Sequence, residues 1–381
     1  MKIALVRQDF SVKVGGAERY AVNLAKALAD FGHEIHVFAN AYDPMENVHF
    51  HSVPITSKMS AVKNWSFARN VRAALKDQKF DIINGLSQIY PQDVYRLGDG
   101  IHRHWLKVRG GTLVGRMWNK VSLRHRMILH IEKKIFTTGN YRRIIANSKL
   151  CKEHANFYYD VPIELIDVVY TGIDLNRFNT SVRKDGAALR TRLGISKAKV
   201  IILFAGMNFA RKGLRPLLVA MSRLNNKEKY LVLIVGRGNI STYKRMVRRL
   251  GLGGNVVFCG FQPHMIPYYG ITDIFVLPTY YDPCANVCLE AMACGLPVIT
   301  TRENGASELI LSEKSGIVLN HPEDTHDLVT WLERLEDPEL RRSMGTLAQG
   351  QVEPLSTRKN AMATLSVYEK AAQDKFGRHE N

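Results

Sequence analysis

Cysteine is scarce in this chain: five residues, an odd number at irregular spacing. That excludes a disulfide-stapled secreted scaffold and is expected of free thiols in a reducing compartment. Long apolar runs are missing too. A bilayer crossing needs about 20 apolar residues, and the longest stretches here are strand-sized, such as Val200–Phe204. Met1–Leu5 leads straight into an apolar strand without a signal-peptide core or a small-residue cleavage site. A soluble, cytosolic chain is expected. Acids are also in deficit, 35 against 53 Lys and Arg, for a net charge of +18. With 46% hydrophobic and 23% charged residues the balance is globular rather than disordered. A length of 381 residues exceeds what one core of about 250–300 residues supports, so two domains are expected.

The positive charge is unevenly placed. Between His102 and Lys152 stand thirteen Lys or Arg and a single acid, Glu132, with Trp105, Trp118 and Tyr141 interleaved. One reading is a solvated helical face. Another is a surface that docks on an anionic membrane or acceptor, where each basic residue contributes about 1 kcal/mol. Nucleic acid is the third, and the stretch lacks a helix-turn-helix, a zinc knuckle or an aromatic RNA-binding signature.

Hydrophobic periodicity organises the rest. Lys2–Val6 reads as a buried strand, and a loop then leads to Gly15-Gly16. Ala17–Phe31 carries apolar residues at helical spacing, and after Gly32 the residues Glu34–Phe38 read as a second strand. This is a parallel βαβ unit. Short strands are predicted at Asp81–Asn84 and Arg143–Ala146. The second half repeats the plan: strand Val200–Ala205, loop Gly206–Lys212, helix Leu214–Leu224, strand Tyr230–Val235 and a basic helix to Leu250. Further strands are predicted at Val256–Phe258, Ile274–Leu277 and Pro297–Thr300. Val168–Phe178 and the polar run Thr180–Gly186 read as a connector. Helices follow over Pro322–Leu335, Pro338–Gln349 and Arg358–Asp374. The expected architecture is two doubly wound, Rossmann-like α/β domains facing a central cleft, because ligands of such sheets bind outside the carboxyl ends of the strands.

Three strand-to-helix loops carry candidate chemistry. In Gly15-Gly16-Ala17-Glu18-Arg19 the paired glycines let backbone approach a ligand, and the helix start offers amide donors to an anion; a plain turn is the alternative. In Asn208–Gly213, Arg211 supplies a planar fork for phosphate and Lys212 a point charge beside it; a solvated basic loop is the alternative. The third runs from Asp282 to Glu290 and on into Ala291–Val298. Its two acids frame the start of a short helix, ended by Gly295 and sealed by Pro297. Backbone amides around Ala285, Asn286 and Val287 are expected to face the same pocket. Cys284, Cys288 and Cys294 fit no zinc spacing and are expected to pack as small apolar groups. His102-Arg103-His104 reads as a basic surface turn or a ligand pair, and Gly236-Arg237-Gly238 as a turn after a strand.

The motifs Asp282-x7-Glu290, Glu290-Ala-Met-Ala-Cys-Gly-Leu-Pro-Val298, Asn304-Gly305 with Glu308, and Arg211-Lys212-Gly213 resemble those of glycosyltransferase family 4, retaining enzymes of the GT-B fold. Gly15-Gly16, Asn147-Ser148, Thr171-Gly172-Ile173-Asp174 and Arg177-Phe178 extend the resemblance over nearly the whole chain. The Gly-Gly-x-x-Arg loop, Asp93-Val94-Tyr95 and the basic patch are similar to the lipopolysaccharide core glucosyltransferases in particular.

The resemblance implies an N-terminal acceptor domain over residues 1–172, joined by a C-terminal helical tail from about 355 to 381 that crosses back to it, and a nucleotide-sugar domain over 180–354. It implies that Arg211 and Lys212 bind the donor diphosphate, that Glu290 takes the ribose hydroxyls, and that the acid at 282 faces the donor sugar with help from Ala285, Asn286 and Val287. Gly16 would close over the diphosphate, Gly15, Glu18 and Gly206 would belong to the substrate-binding surface, and Phe261 would lie near the base. Asp99 or His102 would touch the sugar or the acceptor. The family signature has Glu where this chain has Asp282, whose carboxylate reaches about 1.5 Å less far; a purely structural loop acid is the alternative.

The implied reaction moves a hexose, most readily glucose from a UDP-sugar, to a lipid-linked saccharide such as lipopolysaccharide inner core, at the inner face of the plasma membrane. It retains configuration and needs neither a metal nor a cofactor besides the donor, the cationic side chains standing in for a divalent ion. A sugar-nucleotide epimerase of the same fold and a non-enzymatic polyanion or nucleic-acid binder are the other readings.

Overall fold

The structure, a computed structural model, describes residues 1–11, 15–56, 62–109 and 122–377. Trp118 and Arg116 of the basic stretch lie outside the described residues. The chain divides into two compact units, one of residues Met1–Gly172 with Thr357–Asn381 and one of Ile173–Ser356.

The strands of the first unit are β1 (Lys2–Val6), β2 (Asp9–Phe10), β3 (Glu34–Ala39), β4 (Ala41–Tyr42), β5 (Val48–Ser52), β6 (Ile82–Gly85), β7 (Val94–Leu97), β8 (Arg143–Ala146) and β9 (Ile166–Val168). Seven form a parallel sheet in the order β5-β3-β1-β6-β7-β8-β9, and β2 pairs with β4 alone. The second unit holds β10 (Val200–Met207), β11 (Tyr230–Arg237), β12 (Val256–Gly260), β13 (Ile274–Leu277), β14 (Val298–Thr301) and β15 (Gly316–Leu319), ordered β12-β11-β10-β13-β14-β15. Ile3–Val6 and Ile201–Phe204 are buried on both faces, which is why central strands of a parallel sheet read as continuous apolar runs rather than as alternation. Strand order reverses at β1 and at β10, and the carboxyl ends beside such reversals are where ligands bind.

The helix Thr357–Phe376 belongs to the first unit. It packs against the helix Gly16–Asp30, and its Tyr368 hydroxyl donates to Asn84 Oδ1 over 2.7 Å. Asp93 serves this docking: its carboxylate meets Lys375 at 2.9 Å, Arg142 at 3.3 Å and the amide of Ile83 at 2.9 Å.

Two sequence expectations change here. Thr180–Gly186 is no connector. It forms a 3-10 turn, Thr180–Val182, and the start of the helix Arg183–Arg192 inside the second unit. The polar composition hid a close helix crossing, in which a Cβ on Gly186 would lie 2.5 Å from the Gly270 carbonyl carbon. Tyr141, read as part of an aromatic-basic surface, is buried with Tyr95, Phe136 and Ile144. Among the described residues, no helix is long and apolar enough to cross a membrane.

Candidate active site

The loop after β10 sets Arg211 and Lys212. Asn208 adopts a left-handed conformation (φ 62°) and its side chain accepts from the Arg211 amide at 3.3 Å. Gly213 follows at φ 80°, and a Cβ there would stand 1.8 Å from the carbonyl oxygen of Pro278, so only glycine fits. The loop after β13 thereby packs directly on the loop after β10. The Tyr280 amide and the Thr279 hydroxyl both donate to the Arg211 carbonyl, at 2.9 and 3.0 Å. Gly206 gives the Lys212 stem its room, since a Cβ there would lie 3.0 Å from Lys212 Cγ.

Lys212 runs inward and its ammonium donates directly to the Asp282 carboxylate; the side chains retain 9% and 7% of their exposure. Burial and the neighbouring Arg211 guanidinium push the Lys212 ammonium down to about 7, while the touching Asp282 carboxylate favours the charged form and opposes that fall. A lysine has three donors, so the ammonium can hold Asp282 and a phosphate oxygen together.

Asn304 fixes the third loop. Its Oδ1 accepts from the amides of Ala285 and Ala306, at 3.0 and 3.1 Å, and its Nδ2 donates to Thr300 Oγ1 at 3.0 Å and to Cys288 Sγ at 3.3 Å. One expectation is corrected by this: the Ala285 amide already serves Asn304. The first-turn amides of Asn286 and Val287 are the ones that the helix Asn286–Ala293 leaves without intrahelical acceptors. Glu290 sits in that helix and accepts from the Tyr269 hydroxyl at 2.7 Å. Gly295 ends the helix region at φ 70°. Cys288 and Cys294 are fully buried and their thiols pushed up to about 12 by burial, as small apolar packing requires. Phe261, just past β12, lies under the Arg237 guanidinium at 4.3 Å. Gly206 at the end of β10, the loop residues Arg211, Lys212 and Asp282, and Asn286, Val287 and Glu290 of the helix Asn286–Ala293 thus lie at the carboxyl edge of one sheet.

In the first unit the glycine loop is built around a residue the sequence did not single out. Arg7, just past β1, pairs with Glu18 at 2.6 Å and donates to the Leu86 carbonyl at 2.5 Å. Burial works to lower the Arg7 pKa, and Asp99 and Glu18 outweigh it and raise it. Gly15 is extended, Gly16 is exposed at the helix start, and a Cβ on Gly15 would touch the Glu18 carboxylate at 2.8 Å. Asp99 is exposed.

His102 is not in a surface turn. It opens the helix His102–Arg109, half-buried and 3.1 Å from His125 Nδ1. Burial, then His125, Arg124 and Arg109, push its pKa down to about 4, so its ring is neutral at neutral pH. Glu132, the single acid of the basic stretch, caps that helix by accepting from the amides of His102 and Arg103 at 2.6 and 3.1 Å. His104 stacks on His154 at 3.8 Å.

The family model for Glycosyltransferase Family 4 matches residues 14–177, and that for Glycosyl transferases group 1 matches residues 186–351. The chain belongs to these glycosyltransferases. The transferase is 24% identical over 315 residues to the lipopolysaccharide glucosyltransferase WaaG of Escherichia coli, covering 81% of this chain and 82% of that one. It is 25% identical over 390 residues to a D-inositol 3-phosphate glycosyltransferase of Paenarthrobacter aurescens, covering 94% and 93%. The crystal structure of WaaG superimposes with a TM-score of 0.82 at 22% identity, over 98% of this chain and 100% of that one. Anabaena HepE in complex with UDP and glucose superimposes at 0.73 and 20% identity, over 96% and 99%. The transferase therefore has the GT-B type of fold.

Proposed function

We propose that this glycosyltransferase moves a hexose, preferentially glucose, from a UDP-sugar to a lipid-linked saccharide of the lipopolysaccharide inner-core kind, with retention and without a divalent metal. The observation that carries the reading is the buried Lys212–Asp282 pair beside Arg211 at the carboxyl end of β10, with Glu290 anchored by Tyr269 on the same edge. Breaking the anomeric C–O bond builds positive charge on the sugar and negative charge on the departing diphosphate. Arg211, the shared ammonium of Lys212 and the amides of Asn286 and Val287 offset the latter. Asp282 keeps Lys212 protonated and aimed, and faces the sugar hydroxyls; Glu290, fixed by Tyr269, takes the ribose. A leaving phosphate oxygen then accepts the acceptor's proton on the face from which the acceptor attacks, and no protein nucleophile is required.

The identities of the WaaG and HepE relatives support glucose and UDP. Those of the inositol phosphate enzymes favour a second acceptor, a phosphorylated polyol. The helices His102–Arg109 and Leu123–Ile135, with their surplus of Lys and Arg, favour the glycolipid at the cytoplasmic face of a membrane.

Transfer from radiolabelled UDP-glucose tests the chemistry. Lys212→Ala should lower turnover by about a hundredfold or more. It also strands Asp282 in the interior, so the double variant Lys212→Ala/Asp282→Asn should recover the melting temperature while turnover stays lost. Recovery of both would make the pair structural. Replacing Lys107, Arg109, Arg116 and Arg124 with Ser should weaken binding to anionic vesicles; unchanged partitioning refutes the membrane role.

A further inference from the structure

A histidine cluster lies on the far edge of the first sheet, on elements that the transfer chemistry does not use. In the register of β3 and β5, His36 stands directly opposite His49. Side chains alternate along a strand, so Glu34, two residues before His36, and His51, two after His49, share that face. The His36 and His49 rings stack at 4.8 Å, and His36 Nδ1 lies 2.8 Å from His51 Nε2. His36 Nε2 and Glu34 Oε1 are 2.8 Å apart. One donor atom from each of Glu34, His36 and His49 falls within 4.8 Å of the others.

We propose that Glu34, His36 and His49 form a binding site for a divalent transition metal of the zinc class, with His51 as its positioning residue. Two imidazoles and a carboxylate suit zinc, which takes nitrogen and oxygen ligands at about 2.0–2.2 Å and keeps an open position when three protein groups bind it. His49 must close on the other two donors from a present spread of up to 4.8 Å, and it is free to do so. His49 is exposed, whereas His36 is only 8% exposed and acts as the fixed anchor. Glu34 is held otherwise by Lys2 at 3.0 Å, a pair about half exposed on both sides, and such pairs contribute little.

With Nε2 of His36 on the metal, its Nδ1 carries the hydrogen and donates to His51 Nε2, which fixes the tautomer as a carboxylate or carbonyl acceptor does behind other metal-bound histidines. The metal would clamp the edge strand β5 to β3, where an open strand edge otherwise invites mispairing. This inference does not depend on the donor or acceptor proposed above.

The test uses the full chain after chelator treatment, titrated calorimetrically with zinc chloride and, in parallel, magnesium chloride. Zinc should bind one per chain and raise the melting temperature, and magnesium should do neither. His49→Ala alters an exposed side chain and leaves the fold intact; it should abolish stoichiometric binding. His51→Ala should weaken it by about 10–100-fold. Cobalt substituted for zinc should give visible d–d bands without a sulfur-to-cobalt charge-transfer band. No stoichiometric zinc uptake, uptake unaffected by His49→Ala, or a thiolate band reporting the cysteines would each overturn the site.

Discussion

In the first unit the charged pair beyond the leading strand β1 is Arg7–Glu18; in the second, beyond β10, it is Lys212–Asp282. Both sit where strand order reverses, at the mouth of a loop that runs into a helix. The first is local, its partners eleven residues apart, and joins a guanidinium that never loses its charge to the first turn of a helix, where a carboxylate is also favoured by the helix dipole. The second joins loops seventy residues apart and buries an ammonium whose charge depends on its surroundings. A permanent charge on a local partner latches the start of a helix. A conditional charge, held by a distant acid, is suited to being shared with a substrate's phosphate.

The two loops differ most in what their glycines tolerate. Gly213→Ala combines a positive φ with a Cβ against the Pro278 carbonyl, and should cost about 3–5 kcal/mol of stability in denaturant melts. Gly15→Ala meets only the movable end of Glu18 at an extended φ, and should cost no more than about 1 kcal/mol. Equal losses would dissolve the distinction between the two loops. Glu18→Gln should lie between them, at about 1–3 kcal/mol, because Arg7 keeps the field of Asp99 and the Leu86 carbonyl.

The two charged pairs also differ in their response to pH. Burial and Arg211 lower Lys212 from 10.5 to about 7, so the ammonium is lost as pH rises and transfer should decline on the alkaline side. Lys212→Arg, permanently charged, should lose that alkaline limb whatever its absolute rate. The same shift makes the unfolded chain the better proton binder between about 7 and 10.5. This side chain therefore adds to stability as pH rises through that window, and the contact with Asp282 reduces the gain. An alkaline limb that persists unchanged in the arginine variant would assign it to another group.

Much of the fold could be read from the chain. The apolar runs of β1, β10, β11 and β13 and the helical spacing around Leu24 and Leu28 are local patterns, as is the stop at Gly295. The edge strand β5 was not predicted because Val48–Ser52 is half exposed, with two histidines in its span. The helix Arg183–Arg192 was missed because its packing rests on Gly186 meeting Gly270 rather than on an apolar stripe. Within the site, Arg211, Lys212 and Glu290 stand out in their motifs, but Asn304 as the hub of a loop and Tyr269 as the anchor of Glu290 do not. An asparagine nineteen residues from the amide it caps, or a tyrosine twenty-one residues from its carboxylate, leaves no periodic trace.

By itself the sequence determined two α/β units, the loops that carry charge and the residue types available there, because hydrophobic period, glycine and proline act over a few neighbouring residues. Only the tertiary structure decided which charges meet. Lys212 finds Asp282, and His36 finds His49, through the register of parallel strands and the depth of burial; both depend on every crossover between them and on no local preference of the residues concerned.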